Sequence, residues 1–178
     1  MRHISETKAI GLLSKIRSRF SSVIRKYEKL AKKCEDCLTP GACCLDQHFV
    51  NVRITRIEAE AILREIDSLD GERKRAVMAR TRRAIRDFGL ENVSEDSVRS
   101  YACPLFEKEV GCLVHAAAKP LPCIAHACYE RKVDLPPETL LIEAETEIAK
   151  LNTLTYGHTQ LPVPLPVAIF AREKPNTL

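Results

Sequence analysis

Residues 34–44 read CEDCLTPGACC. Cys34 and Cys37 form a C-x2-C pair, and Pro40-Gly41 turns the chain before the adjacent Cys43 and Cys44. A C-x2-C pair lets two sulfurs converge on one ion from a tight turn, as in many zinc and iron–sulfur sites. Side chains on consecutive extended residues point to opposite sides, so Cys43 and Cys44 suit two different ions or one bridged cluster. After a cysteine-free stretch over 45–102, four more follow: Cys103, Cys112, Cys123 and Cys128. Eight thiolates suffice for two four-coordinate sites. The expectation is a metal-binding protein whose ligands are Cys34, Cys37, Cys43, Cys44, Cys103, Cys112, Cys123 and Cys128. Ligands shared between the two blocks would close the long intervening loop and add folding free energy.

Disulfides are the competing use of so many thiols, and they need an oxidising compartment. The start, MRHISETKAIGLLSK, has no apolar run with a small-residue cleavage site. No run of about 18 uncharged apolar residues occurs either. The expectation is a cytoplasmic protein without a membrane span, in which thiols stay reduced and metal is favoured over disulfides. At 178 residues the chain fits a single domain and can build its own hydrophobic core. With no Trp, four Tyr and five Phe, that core should be aliphatic.

Outward from the first cysteine block, residues 5–33 predict one long helix. Leu13, Ile16, Phe20, Val23, Ile24, Tyr27, Leu30 and Ala31 recur at three- and four-residue intervals, and Lys32-Lys33 would fall in its last turn. HFVNVRI, 48–54, predicts a short strand. Thr55-x-x-Glu58 is a capping-box signature, so a helix should run from there to about Leu69. Asp70-Gly71 breaks it, and a further helix spans 72–88, with Val77, Thr81, Ala84, Ile85 and Phe88 inward and Gly89 as its stop. Pro104, Pro120 and Pro122 forbid a long helix through 103–123, leaving short strands or loops. Pro136-Pro137 opens a helix to about Leu154, with Leu140, Leu141, Ala144, Ile148 and Leu151 on its apolar face. The tail LPVPLPVAIF, 161–170, should lie extended along the surface or at a sheet edge. The expected fold class is therefore mainly α with short β or irregular segments, in one metal-stabilised domain over 1–178. An N-terminal helix (1–33) and a C-terminal helix with a Pro-rich tail (129–178) flank a cysteine-cluster core (34–128).

The cysteine arrangement resembles the CxxCxxCC-type cysteine-cluster proteins, a family described as zinc- or iron-chelating domains. The matching pieces are Cys34-Glu35-Asp36-Cys37, Cys43-Cys44, Cys103-Pro104-Leu105-Phe106, Gly111-Cys112-Leu113-Val114, Lys119-Pro120-Leu121-Pro122-Cys123 and Cys128. The chain departs from the family where Lys119 stands for an Arg before Pro120 and Ile124 for an Arg after Cys123. The resemblance implies metal binding and no particular reaction. Ligand type alone does not separate zinc from iron. The spacing matches neither the ferredoxin run nor a zinc ribbon. Zinc is the leading expectation, with iron or an iron–sulfur cluster as the alternative. His115 and His126 lie among the second-block cysteines and are secondary ligand candidates, ahead of His48.

The formal charge of +4 is unevenly spread. Residues 72–86 carry Arg73, Lys74, Arg75, Arg80, Arg82, Arg83 and Arg86 against Glu72 alone. This basic helix could grip an acidic protein or a nucleic acid. The plainer account is a solvated face, and no aromatic residues interleave the arginines to stack bases. A dithiol-exchange role for Cys34/Cys37 is disfavoured, because Glu35-Asp36 raise a thiol pKa and no strand leads into the pair. There is no phosphate-cradling glycine loop, G-x-S-x-G or H-E-x-x-H, so no catalytic residue is assigned. Three functional classes follow: an accessory or regulatory metalloprotein, an iron–sulfur protein in electron transfer or supporting a modification enzyme, and a metal-stabilised adaptor.

Overall fold

A computed structural model describes residues 3–32, 36–45, 50–92 and 99–173. Cys34 and His48 lie outside them, as does the start of the strand expected at 48–54.

Helix α1 spans Glu6–Glu28, with the Ser5 hydroxyl accepting from the Lys8 amide at 3.4 Å as its N-cap. Its inner face is Ala9, Leu13, Arg17, Phe20 and Ile24, a four-four-three-four spacing that winds one stripe against the core. The helix stops earlier than the 5–33 expectation. Leu30 is half exposed, and Ala31–Lys32 instead form strand β1. The basic residues of the last turn are Arg25 and Lys26, not Lys32-Lys33. The cause is non-local: β1 pairs antiparallel with a strand close to the other end of the cysteine core, described below.

Strand β2 is Arg53–Ile54, and Thr55 then caps helix α2 over Arg56–Asp67. The capping box forms: Glu58 Oε2 accepts from the Thr55 amide at 2.8 Å and from its hydroxyl at 2.9 Å. Ile57, Ala59, Ala61, Ile62 and Ile66 are buried. Helix α3, Gly71–Asp87, is capped by the Asp70 carboxylate accepting from the Arg73 amide. It buries Val77, Thr81, Ala84 and Ile85 as expected from sequence, with Met78 added and Phe88 only half-buried. Gly89 takes φ +61, the left-handed turn that ends it.

The second cysteine block begins with the strands β3 (Phe106–Glu107) and β4 (Gly111–Cys112), an antiparallel pair. Helix α4, Leu121–Ala125, follows, and strand β5 is Cys128–Tyr129. The one-turn α4 was not expected, because prolines argue against helix. Pro122 sits in its first turn, where the missing N–H leaves no bond unmade. Helix α5 runs Glu138–Tyr156, with Gly157 (φ +82) ending it; Ala144, Ile148, Leu151 and Asn152 are buried.

The tail corrects the expectation of a wholly extended surface segment. Val163–Pro164 form β6, paired antiparallel with β2, so that much is an edge. Leu165–Phe170 then form helix α6, which buries Leu165, Pro166, Ala168 and Ile169 against α2 and α3. Pro166 again occupies a first turn, and the Leu165 amide donates to the Val52 carbonyl at 2.9 Å. The observed class is mainly α with short two-stranded pairs, as read from sequence. One aliphatic cluster joins the inner faces of α1, α2, α5 and α6 with Leu105, Val114, Ala118 and Leu121 of the cysteine block. No helix among the described residues is long and apolar enough to cross a membrane.

Candidate metal centre

Backbone hydrogen bonds bring the two cysteine blocks together. The Cys103 amide donates to the Cys44 carbonyl at 2.7 Å, and Leu45 and Ala102 form an antiparallel bridge beside it. On the same segment the Tyr101 amide donates to Val50 O at 3.0 Å, and its buried hydroxyl to Val52 O at 2.5 Å. Cys44, Leu45, Val50 and Val52 are thus stitched to 101–103. The β3–β4 pair sets Phe106 opposite Cys112, folding Cys112 back toward Cys103. The α4 turn carries Cys123. In the β1–β5 pair, Lys32 faces Cys128; β1 comes just before Cys34 in sequence, which corrects the expectation that no strand leads into the Cys34/Cys37 pair.

Gly41 fixes the approach of the first block. It has φ +84, and a Cβ there would stand 2.1 Å from the tip of the Phe106 ring. No other residue type supplies both the left-handed turn and the space. Ala42–Cys44 continue as a 3₁₀ turn, so Cys43 and Cys44 are not on an extended strand as the opposite-sides argument assumed.

Cys37, Cys43, Cys44, Cys103, Cys112 and Cys123 are half-buried free thiols, and Cys128 is exposed. Their electrostatics show which sulfurs share one neighbourhood. Burial pushes the Cys103 and Cys123 thiols up to about 12, and each feels its cysteine neighbours, Cys112 for the first and Cys103 then Cys112 for the second. Burial also raises Cys112. Cys44 is raised by its hydrogen bond to Cys43, by burial, and by the charges of Cys43, Cys103 and Cys123. Cys43 is the opposite case. It is held low by the hydrogen bond from Cys44 and then by one from His126. Cys44, Cys103, Cys112 and Cys123 are therefore one electrostatically linked, half-buried set, with Cys43 bonded to Cys44 and to His126 at its side. Cys37 stands apart, its sulfur 4.0 Å from the Thr39 hydroxyl. The His115 imidazole feels the nearby Lys119 charge and is lowered by it.

Three cations surround this group, and the sequence reading named none of them in that role. Arg17, only 8% exposed, lies on the inner face of α1. Its Nε donates to Lys119 O at 2.9 Å and its Nη1 to Ala117 O, and its charge acts on Cys112. Lys119 acts on Cys112 and Cys123. Arg80 of α3 donates through Nε to Pro104 O at 2.8 Å and acts on Cys103, while its buried Nη2 has no hydrogen-bond partner. The available signal for Arg17 was a charge inside the apolar stripe, four residues after Leu13 and three before Phe20.

As placed, the thiols do not form a finished coordination sphere. Among the described residues, no three Cys, His, Asp or Glu side chains stand in a group that could hold an ion. The donor chemistry nevertheless suits a thiophilic metal: reduced sulfurs, adjacent imidazole, counter-charges, and an orphaned guanidinium N–H beside Cys103. A thiolate bound to metal is deprotonated and accepts such N–H bonds.

The basic helix is largely engaged within the molecule. Arg73 pairs with Asp70 and Glu107, Lys74 with Asp67, Arg82 with Glu173 and Arg86 with Asp87, and Arg80 is turned to Pro104. Exposed pairs of this kind are weak, so they reduce the charge offered to a partner without removing it.

Comparison with protein-family models, curated proteins and solved structures finds no match to this chain.

Proposed function

We propose that the chain is a metal-binding protein, with zinc as the leading ion and iron or an iron–sulfur cluster as the alternative. The single observation that carries this is the Cys103–Cys44 backbone bond, which joins the two blocks and brings Cys44 under the charges of Cys103 and Cys123, with Cys112 acting on both of those. Those four sulfurs are the first ligand set. Cys34, Cys37 and Cys128, with Cys43 and His126 beside them, are the remaining donors, and the β1–β5 pairing supports drawing on both blocks there as well. A tetrathiolate ion carries net negative charge in a half-buried place, and Arg17, Arg80 and Lys119 offset it. Held there, a metal would supply a cross-link between segments far apart in sequence, so the role is that of an accessory or regulatory metalloprotein. No catalytic residue is assigned.

Purification without oxygen, followed by elemental analysis and a visible spectrum, tests the reading. Colourless protein with stoichiometric zinc is the expected result. Brown protein with acid-labile sulfide would transfer the proposal to the iron–sulfur alternative. Protein that binds neither zinc nor iron with its thiols reduced would end it.

A further inference from the structure

A cleft of about 510 Å³ opens on the face of the molecule where β2, the start of α2, α5 and the segment before β6 meet. The metal reading does not use it. Its lining combines apolar surface with convergent polar groups, as small-ligand sites do. Ile142 and Leu161, 53% and 57% exposed, form apolar lips. Glu58 lies at the buried end, 8% exposed, and Glu145 and Thr146 of α5 lie toward solvent. Arg53, Asn51 and Thr55 complete the polar set.

The polar groups are rigidly set. The capping box fixes the Glu58 carboxylate, whose Oε2 takes both Thr55 bonds. Arg53 is held by its Nε bond to Pro162 O at 3.1 Å. The lining therefore presents two carboxylates against one guanidinium, whose Nε is committed to a wall carbonyl. The Glu145 charge acts on Glu58, Arg17 offsets it from outside the cleft, and burial disfavours the ionised form of both carboxylates. A cation between them would relieve both conditions at once. An anionic ligand would meet two like charges, and a wholly apolar one would strand the Glu58 carboxylate away from water.

We propose that this cleft binds a small organic cation, a primary ammonium on a short apolar body, with the ammonium between Glu58 and Glu145 and the body against Ile142 and Leu161. Size supports a ligand of this kind, since the volume lies within the usual range for small-molecule sites.

The test is a heteronuclear NMR titration of the full chain, at fixed metal content, with pentylammonium, pentanol and pentanoate. Saturable shifts at the amides of Thr55, Thr146 and Ala149 with pentylammonium, absent with the other two, are expected. Glu145→Gln should weaken that binding about ten-fold, the loss of one charge-assisted contact. Ala149→Leu, a change at a partly exposed position that fills the cleft, should abolish it while the spectrum stays dispersed. Equal or stronger shifts with pentanol or pentanoate, no saturable shift at all, or undiminished affinity in Glu145→Gln would each overturn the proposal.

Discussion

Replacing Arg17 by Met tests how the cysteine block is fastened to the helices. Arg17 is buried on α1 and reaches the carbonyls of Ala117 and Lys119, a hundred residues away in sequence. A hydrogen bond to a charged group contributes about 1.5 to 3 kcal/mol, so the two together contribute roughly 3 to 6 kcal/mol. Two terms oppose this. Burial lowers the Arg17 pKa, the mark of a desolvated charge, and Met recovers apolar contact in the same volume. The net expectation is a loss of about 2 to 4 kcal/mol, because both carbonyls are left without a donor. For a chain of this size that lowers Tm by roughly 4 to 16 °C. Urea denaturation of metal-free protein reads it directly, with an unchanged m value as the check that two-state behaviour persists. Arg17→Lys should recover part of the loss, since an ammonium can reach one carbonyl but not both. A Met variant within about 0.5 kcal/mol of the parent would refute the claim that this guanidinium anchors the block.

Gly41→Ala should destabilise by about 2 to 4 kcal/mol, from the left-handed φ and the Phe106 ring together, and pairing it with Phe106→Ala should recover the steric share in a double-mutant cycle. In metal-free protein the raised Cys103 and Cys123 thiols favour the protonated folded state. Their stabilisation is therefore full below the unfolded-chain thiol value and is lost as pH rises from about 9 toward 12, by up to about 1.4 kcal/mol per unit for each thiol. Denaturation midpoints between about pH 8 and 10.5 measure this, and a flat profile would contradict the burial of those sulfurs. Cys37→Ser should lower the melting temperature of metal-loaded protein while leaving metal-free protein nearly unchanged, since metal affinity is partly folding energy. Equal melting in both loaded forms would remove Cys37 from the ligand set.

Much of the fold was legible because it is written locally. Thr55 and Glu58 announce α2 through three residues' spacing, Asp70 and Gly89 bracket α3, and the stripe from Ala144 to Leu151 marks α5. The misreading at the end of α1 comes from a contact that no local pattern encodes. Ala31 and Lys32 continue the apolar and basic pattern of α1, yet pairing with Cys128-Tyr129 across almost a hundred residues draws them into a strand. Pro164 and Pro166 look like helix breakers by composition, but at an N-cap and in a first turn neither removes a bond. The cysteine spacing pointed to eight donors. It could not say that Cys43 would be hydrogen-bonded to both Cys44 and His126, or that Arg17, Arg80 and Lys119 would face the sulfurs.

The placement of the core decides what metal loss would do. Small zinc modules unfold without their ion because they have little else to bury. Here Ile57, Ile62, Ile66, Val77, Ile148, Leu165 and Ile169 belong to one large apolar cluster, with Cys103, Cys112 and Cys123 partly buried against it. From residues 36–45, by contrast, only Ala42 is a buried hydrophobic residue. That segment is held by the Cys44–Cys103 bond, the Leu45–Ala102 bridge and the Gly41–Phe106 approach. Local stability follows buried apolar contact, so chelation should open 36–45 and the β3–β4 pair first and leave α2, α3 and α5 protected. Hydrogen exchange before and after chelation separates the cases. Uniform loss of protection across all helices would mean that the ion, not the aliphatic core, holds the molecule together.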